Sequence, residues 1–170
     1  MSMAHERIIQ IEKCPISDVG KTTADGIIWR DYDRWFLGSV ADYVRYDEYH
    51  DETIELFIQY LCSFGPYVEV FNDEEEQWLV FKEGFIQAYF AKLFPIFKEA
   101  LQKLVDNASV ETLCGYELSA LLYPLNEINY DRGGTYIDSI GKGLVPLNYF
   151  IREIEPNVRY YIGGTVDYHF

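Results

Sequence analysis

Positive charge is scarce in this chain of 170 residues: 14 Lys and Arg stand against 28 Asp and Glu, a formal net charge of −14. Such a field repels nucleic acid and anionic lipid and attracts basic proteins, so no direct nucleic-acid partner and no membrane association are expected. Cysteine is also sparse. Cys14, Cys62 and Cys114 are far apart, form no CxxC pair and are odd in number, which is a poor disulfide framework. Cys62 and Cys114 lie in apolar surroundings and read as buried free thiols, with a reducing cytoplasm as the default location. Long apolar runs are missing too. The uncharged stretch from Phe57 to Val68 is too short to span a bilayer and is broken by Gly65-Pro66. No apolar segment follows the first charges, so no signal peptide is expected.

Chemical motifs are equally thin. There is no Gly-x-Ser-x-Gly elbow, and no cysteine sits in an electropositive setting. Gly133-Gly134-Thr135 follows Arg132 but lacks the P-loop lysine and the dinucleotide-binding glycine spacing, so it reads as turn chemistry. None of His5, His50 and His169 has a His partner at helical spacing. Asp47, His50 and Asp51 can offer oxygen and nitrogen to a metal, but a four-ligand site needs more from elsewhere. The expectation is therefore no metal, no cofactor and no catalytic set. One pair keeps an alternative open: Asp167 and His169, two apart on a strand, share a face and can orient a general base. With the ring-rich helix described next, they motivate a second reading, a small ligand-binding domain or enzyme with an aromatic pocket.

What the chain does have is rings and amphipathic pattern. Fifteen Tyr and eleven Phe accompany a hydrophobic content of 49%, enough for residues 1–170 to form a single globular domain with its own core. Ile86, Tyr89, Phe90, Leu93, Phe97, Ala100, Leu101 and Leu104 recur at three- and four-residue steps, predicting a long central helix over 83–105, with a kink or a division at Pro95. Arg7 to Glu12 reads as a first strand. A helix from Arg34 to about Tyr46, capped by Asp33, is expected next, with Trp35 and Val44 inward and Gly38 permitting close approach. A second helix, about Glu52 to Ser63 and capped by Asp51, turns Ile54, Phe57, Ile58 and Leu61 inward. Tyr67 to Phe71 and Gln77 to Phe81 read as a hairpin. Ser109 can cap a helix over 110–122 that stops before Pro124, and Leu147, Phe150, Ile151 and Ile154 share a face of a short helix. Arg159 to Ile162, Gly163-Gly164 and Thr165 to Phe170 read as a second hairpin. The fold class is α+β: a mainly antiparallel sheet, with hairpins 67–81 and 158–170, packed against helix 83–105 and several shorter helices.

The strongest claim to function belongs to Asp42 through Glu52. Tyr43, Tyr46 and Tyr49 recur every third residue and carboxylates flank them. Rings supply anchor area and carboxylates steer a basic partner. The expected partner-binding residues are Tyr43, Tyr46, Asp47, Glu48, Tyr49 and Asp51, extended by the acidic tip Asp73, Glu74 and Glu75. The reading is a non-enzymatic protein-binding module for a basic partner. In composition alone the chain resembles bacterial or phage proteins of two kinds, toxin-neutralising immunity proteins and antirestriction proteins, and no functional residues follow from that. Self-association into a homodimer through an edge strand is a further expectation.

Overall fold

A computed structural model describes residues 5–30, 36–37, 41–73, 76–115, 117–130, 134–139 and 142–169. The expectations for Asp33, Trp35, Gly38, Glu74 and Glu75 lie outside these. The architecture is α+β. The strands are β1 (His5–Glu12), β2 (Tyr43–Tyr46), β3 (Val68–Asn72), β4 (Gln77–Phe81), β5 (Tyr136–Ser139), β6 (Gly143–Pro146) and β7 (Arg159–His169). They form one sheet in the order β3-β4-β7-β1-β5-β6, with β2 also paired to β7. Only β1 and β5 run parallel among these pairs. The helices are α1 (Ala24–Arg30), α2 (His50–Cys62), α3 (Phe85–Asn107), α4 (Val110–Cys114), α5 (Glu117–Tyr130) and α6 (Leu147–Arg152).

The organising element is β7 rather than the long helix. It is eleven residues long, with β1 along one side and both β4 and β2 along the other. The hairpin expected over 158–170 is therefore a single strand, and the reason lies in Gly163-Gly164. Ile9 pairs with Thr165 and Ile11 with Ile162, so one residue of β1, Gln10, opposes two of β7. This is a β-bulge, and an extra residue reverses which face the following side chains point to. Tyr160 and Ile162 meet the same core as Ile9, whereas beyond the bulge Val166 and Tyr168 meet the opposite one. The break in alternation imitates a turn. Glycine is required because a Cβ on Gly164 would stand 2.2 Å from the Thr22 carbonyl oxygen, and one on Gly163 2.3 Å from Gln10 Oε1.

Buried side chains lie on both faces of the sheet. On one face Ile9, Ile11, Leu79, Phe81, Ile137 and Tyr160 pack with Phe57 and Leu61 of α2, Phe85 and Tyr89 of α3, and Leu147, Phe150 and Ile151 of α6. On the other, Ile8, Val44, Tyr136, Val166 and Tyr168 pack with Ile27 of α1 and with Phe36. The expected inward stripes of α2 and α6 are the buried ones, Ile58 being partly buried. Helix α3 starts at Gly84, whose φ of 92° favours glycine, and continues through Pro95 as one helix rather than two. Phe85 and Tyr89 in its first half and Ala100 in its second are buried, whereas Phe94, Ile96, Leu101 and Val105 are exposed.

Three more expectations are corrected. Tyr43–Tyr46 is not helical: it is β2, held to β7 through Tyr43–His169, Val44–Tyr168, Arg45–Asp167 and Tyr46–Val166. Tyr and Val favour strands, and the pairing partner lies over a hundred residues away. Pro124 lies within α5 rather than beyond its end. Cys62 and Cys114 are exposed, at the ends of α2 and α4. By contrast Ser109 forms a capping box with Thr112 at α4. Ser109→Ala is expected to lower stability by about 1 kcal/mol, read as a reduced midpoint in urea melts.

Candidate functional site

The corner from β2 into α2 is built on a buried polar network. Asp47 is 1% exposed, directly beneath the exposed Glu48 and Tyr49. Its Oδ1 accepts the Tyr49 backbone N–H at 3.0 Å, and its Oδ2 accepts the Thr165 hydroxyl at 2.8 Å. The Arg7 guanidinium lies 3.5 Å away and donates to Thr53 at 3.3 Å. Burial by itself would push the Asp47 carboxyl up. The hydrogen bonds from Thr53, Thr165 and the Tyr49 N–H, together with the Arg7 charge, outweigh it and hold the group below the ordinary carboxylate value. His50 Nδ1 lies 2.8 Å from the Thr165 hydroxyl, so His50 and Asp47 both turn toward Thr165; His50 and Asp51 line a common pocket, which Asp47 does not reach. Among the described residues, no group of three His, Cys, Asp or Glu side chains is placed to hold a metal ion.

Asp167 is locked rather than poised. Its Oδ1 accepts Arg7 Nη1 and its Oδ2 accepts Arg45 Nε, each at 2.6 Å. His169 is buried, stacked on the Tyr43 ring at 5.1 Å with 10° between planes, and 3.5 Å from the Asp42 carboxylate. The pair therefore ties β2 to β7, and both carboxylate oxygens of Asp167 serve guanidinium groups. Arg7 continues outward to the wall of an open groove of about 530 Å³, lined also by Tyr49, Glu52, Leu56, Tyr60 and Thr135.

The sequence-predicted residues divide into three groups. Tyr43, Tyr46, Glu48, Tyr49, Asp51 and Asp73 are exposed; Asp47 is not, so as a surface contact it is withdrawn. Glu74 and Glu75 lie outside the described residues. The tyrosines do not form a helical stripe. Tyr43 follows Arg45 onto the face of Asp167, Tyr46 follows Val44 onto the other face, and Tyr49 precedes α2. The pattern that does run along α2 is Tyr49, Leu56 and Tyr60, at 60%, 57% and 42% exposure, whereas Tyr46, at 73%, is exposed on the other face of the sheet. Leu56 and Tyr60 were legible in the sequence as large side chains off the inward stripe of α2. Around this ridge stand Glu48, Asp51, Glu52 and Glu55, all exposed. From Tyr46 to Phe81 the sequence has ten Asp and Glu and no Lys or Arg; counter-charge comes from outside the stretch, Arg7 lying 3.5 Å from Asp47 and Lys82 2.7 Å from Glu69.

No protein-family model, no curated protein sequence and no solved structure matches this chain. No described helix is long and apolar enough to cross a membrane.

Proposed function

We propose that the protein is a non-enzymatic binding protein for a basic protein partner, in the manner of immunity or antirestriction proteins. The observation that carries this is the exposed ridge Tyr49, Leu56 and Tyr60, set among Glu48, Asp51, Glu52 and Glu55 in a stretch of sequence that itself holds no Lys or Arg. Phenol and leucine side chains provide area that water leaves readily, and the carboxylates orient and accelerate the approach of a positive surface. Asp47 fixes the corner from below, so the ridge is ordered before a partner arrives, which lowers the entropic cost of binding. The alternative, a ligand pocket using Asp167 and His169, is supported less well, because those side chains are engaged with Arg7, Arg45 and Tyr43.

The test is capture of a partner by the immobilised protein, identification, and titration at low and high salt. Tyr49→Ala and Tyr60→Ala are each expected to weaken binding about tenfold. Glu52→Lys is expected to slow association and to flatten its salt dependence. A captured partner that is acidic, or one whose affinity ignores both salt and the tyrosine changes, refutes the proposal.

A further inference from the structure

We propose that the outer edge of β3 takes an added strand: an extended, Lys- or Arg-bearing segment of the partner pairs with Val68–Asn72 while its side chains enter the groove between β3 and α2. This rests on the basic-partner reading above and names how the partner is held.

The hydrogen-bond pattern fixes which way β3 faces. Lys82 N donates to Tyr67 O at 2.7 Å and Asp73 N to Glu76 O at 3.0 Å. Both are cross-strand bonds of the β3–β4 hairpin, whose register runs unbroken from Val68–Phe81 to Asn72–Gln77. In an antiparallel ladder the bonded positions alternate, so Glu69 and Phe71 turn their backbone groups toward β4. Val68, Val70 and Asn72 turn theirs outward. Among the described residues no strand lies on that side. The edge also lacks the usual protections: it holds no Pro, no Lys and no bulge, and Val70 and Phe71 are 41% and 39% exposed.

Beside this edge lies an open groove of about 500 Å³. One wall is α2, through Asp51, Ile54, Glu55 and Ile58, and the other is Val70 and Asn72. A strand added to β3 projects every second side chain to the groove side, where Ile54, Ile58 and Val70 receive apolar groups and Asp51 and Glu55 receive ammonium or guanidinium groups. Charge selects the occupant. A second copy of this chain would set Asp51 and Glu55 of α2 against the same carboxylates of its mate, which is repulsive. A basic segment meets the carboxylates of Asp51 and Glu55 in the groove, while Glu69 is already held by Lys82 at 2.7 Å.

The test uses a blocked peptide of repeated Lys-Thr-Val-Thr, which puts both Lys and Val on one face, followed by fluorescence anisotropy, and the same peptide N-methylated at its Lys and Val amides. Binding to the wild-type protein should weaken about tenfold or more on methylation, because several main-chain hydrogen bonds are lost together. Val70→Pro should act alike. It deletes an outward-facing N–H and leaves the β3–β4 ladder in place; a thermal melt verifies its fold, and the methylated peptide makes the same test with the protein unaltered. On binding, the Val68, Val70 and Asn72 amides should gain protection from exchange. Equal affinity for the two peptides overturns strand addition, and if that binding is salt-sensitive the basic-partner reading survives. A wild-type dimer that Val70→Pro dissolves also overturns it, in favour of a second copy. Binding of neither this peptide nor any basic protein overturns both proposals.

Discussion

Asp47→Ala is expected to destabilise the fold by about 3 kcal/mol, the largest loss among single changes at the candidate site. The carboxylate is buried and accepts from the Tyr49 N–H and the Thr165 hydroxyl, with the Arg7 charge alongside. Truncation leaves those donors without an acceptor in a place water reaches poorly. Asp47→Asn keeps the volume and separates charge from shape. The linkage is definite in sign. Because the folded-state pKa of Asp47 lies below its ordinary value, its contribution is complete above the ordinary carboxylate range, about pH 4. It is lost as pH falls from there through the depressed folded value. Urea melts across acid pH should show the wild-type protein losing stability below about pH 4, with a shallower loss in Asp47→Asn. Parallel acid profiles for the two proteins would remove Asp47 from the account.

Gly164→Ala is expected to cost about 2–3 kcal/mol, an overpacking penalty with no simple relief. The new Cβ would meet the Thr22 carbonyl oxygen at 2.2 Å and its nitrogen at 2.9 Å. Those are backbone atoms and cannot rotate away. The segment they belong to is held by one side chain: Gln10 accepts from Thr22 N at 2.8 Å and Gly164 N at 3.1 Å, and donates to Gly20 O at 2.9 Å. The Thr22 hydroxyl also donates to Asp138. Displacing Thr22 therefore weakens several buried bonds at once. Gly20→Ala is the control, since its Cβ would find Ser17 Oγ at 3.4 Å, an ordinary contact. Melting temperatures should fall clearly for Gly164→Ala and barely for Gly20→Ala. Equal effects would mean that the bulge is not tightly packed against the Thr22 segment.

Local pattern carried most of the secondary structure. β1, the β3–β4 hairpin, α2, α3 and α6 each write their buried face in consecutive residues, at a period of two or of three to four, so each is readable without knowing its neighbours. β7 was misread because its alternation changes phase at Gly163-Gly164, and a bulge cannot be told from a turn until Gln10 is seen opposite it. β2 was misread because Tyr43, Tyr46 and Tyr49 at three-residue steps suit a helix, while the strand exists through its pairing with β7. The site was legible to the same extent. Exposed tyrosines and carboxylates are visible in a sequence. The burial of Asp47 depends on Arg7 and Thr165, 40 and 118 residues away, and nothing local separates it from Glu48.

The most direct measurement is a map of where positive charge lands. The isotope-labelled protein is titrated with a short lysine homopolymer at low salt, and backbone amide shifts are followed. The account predicts perturbations concentrated in residues 42–60 and 68–77, collapsing when salt is raised. Shifts spread evenly over the remaining carboxylates, such as Asp18, Glu99, Glu111 and Glu153, would contradict it.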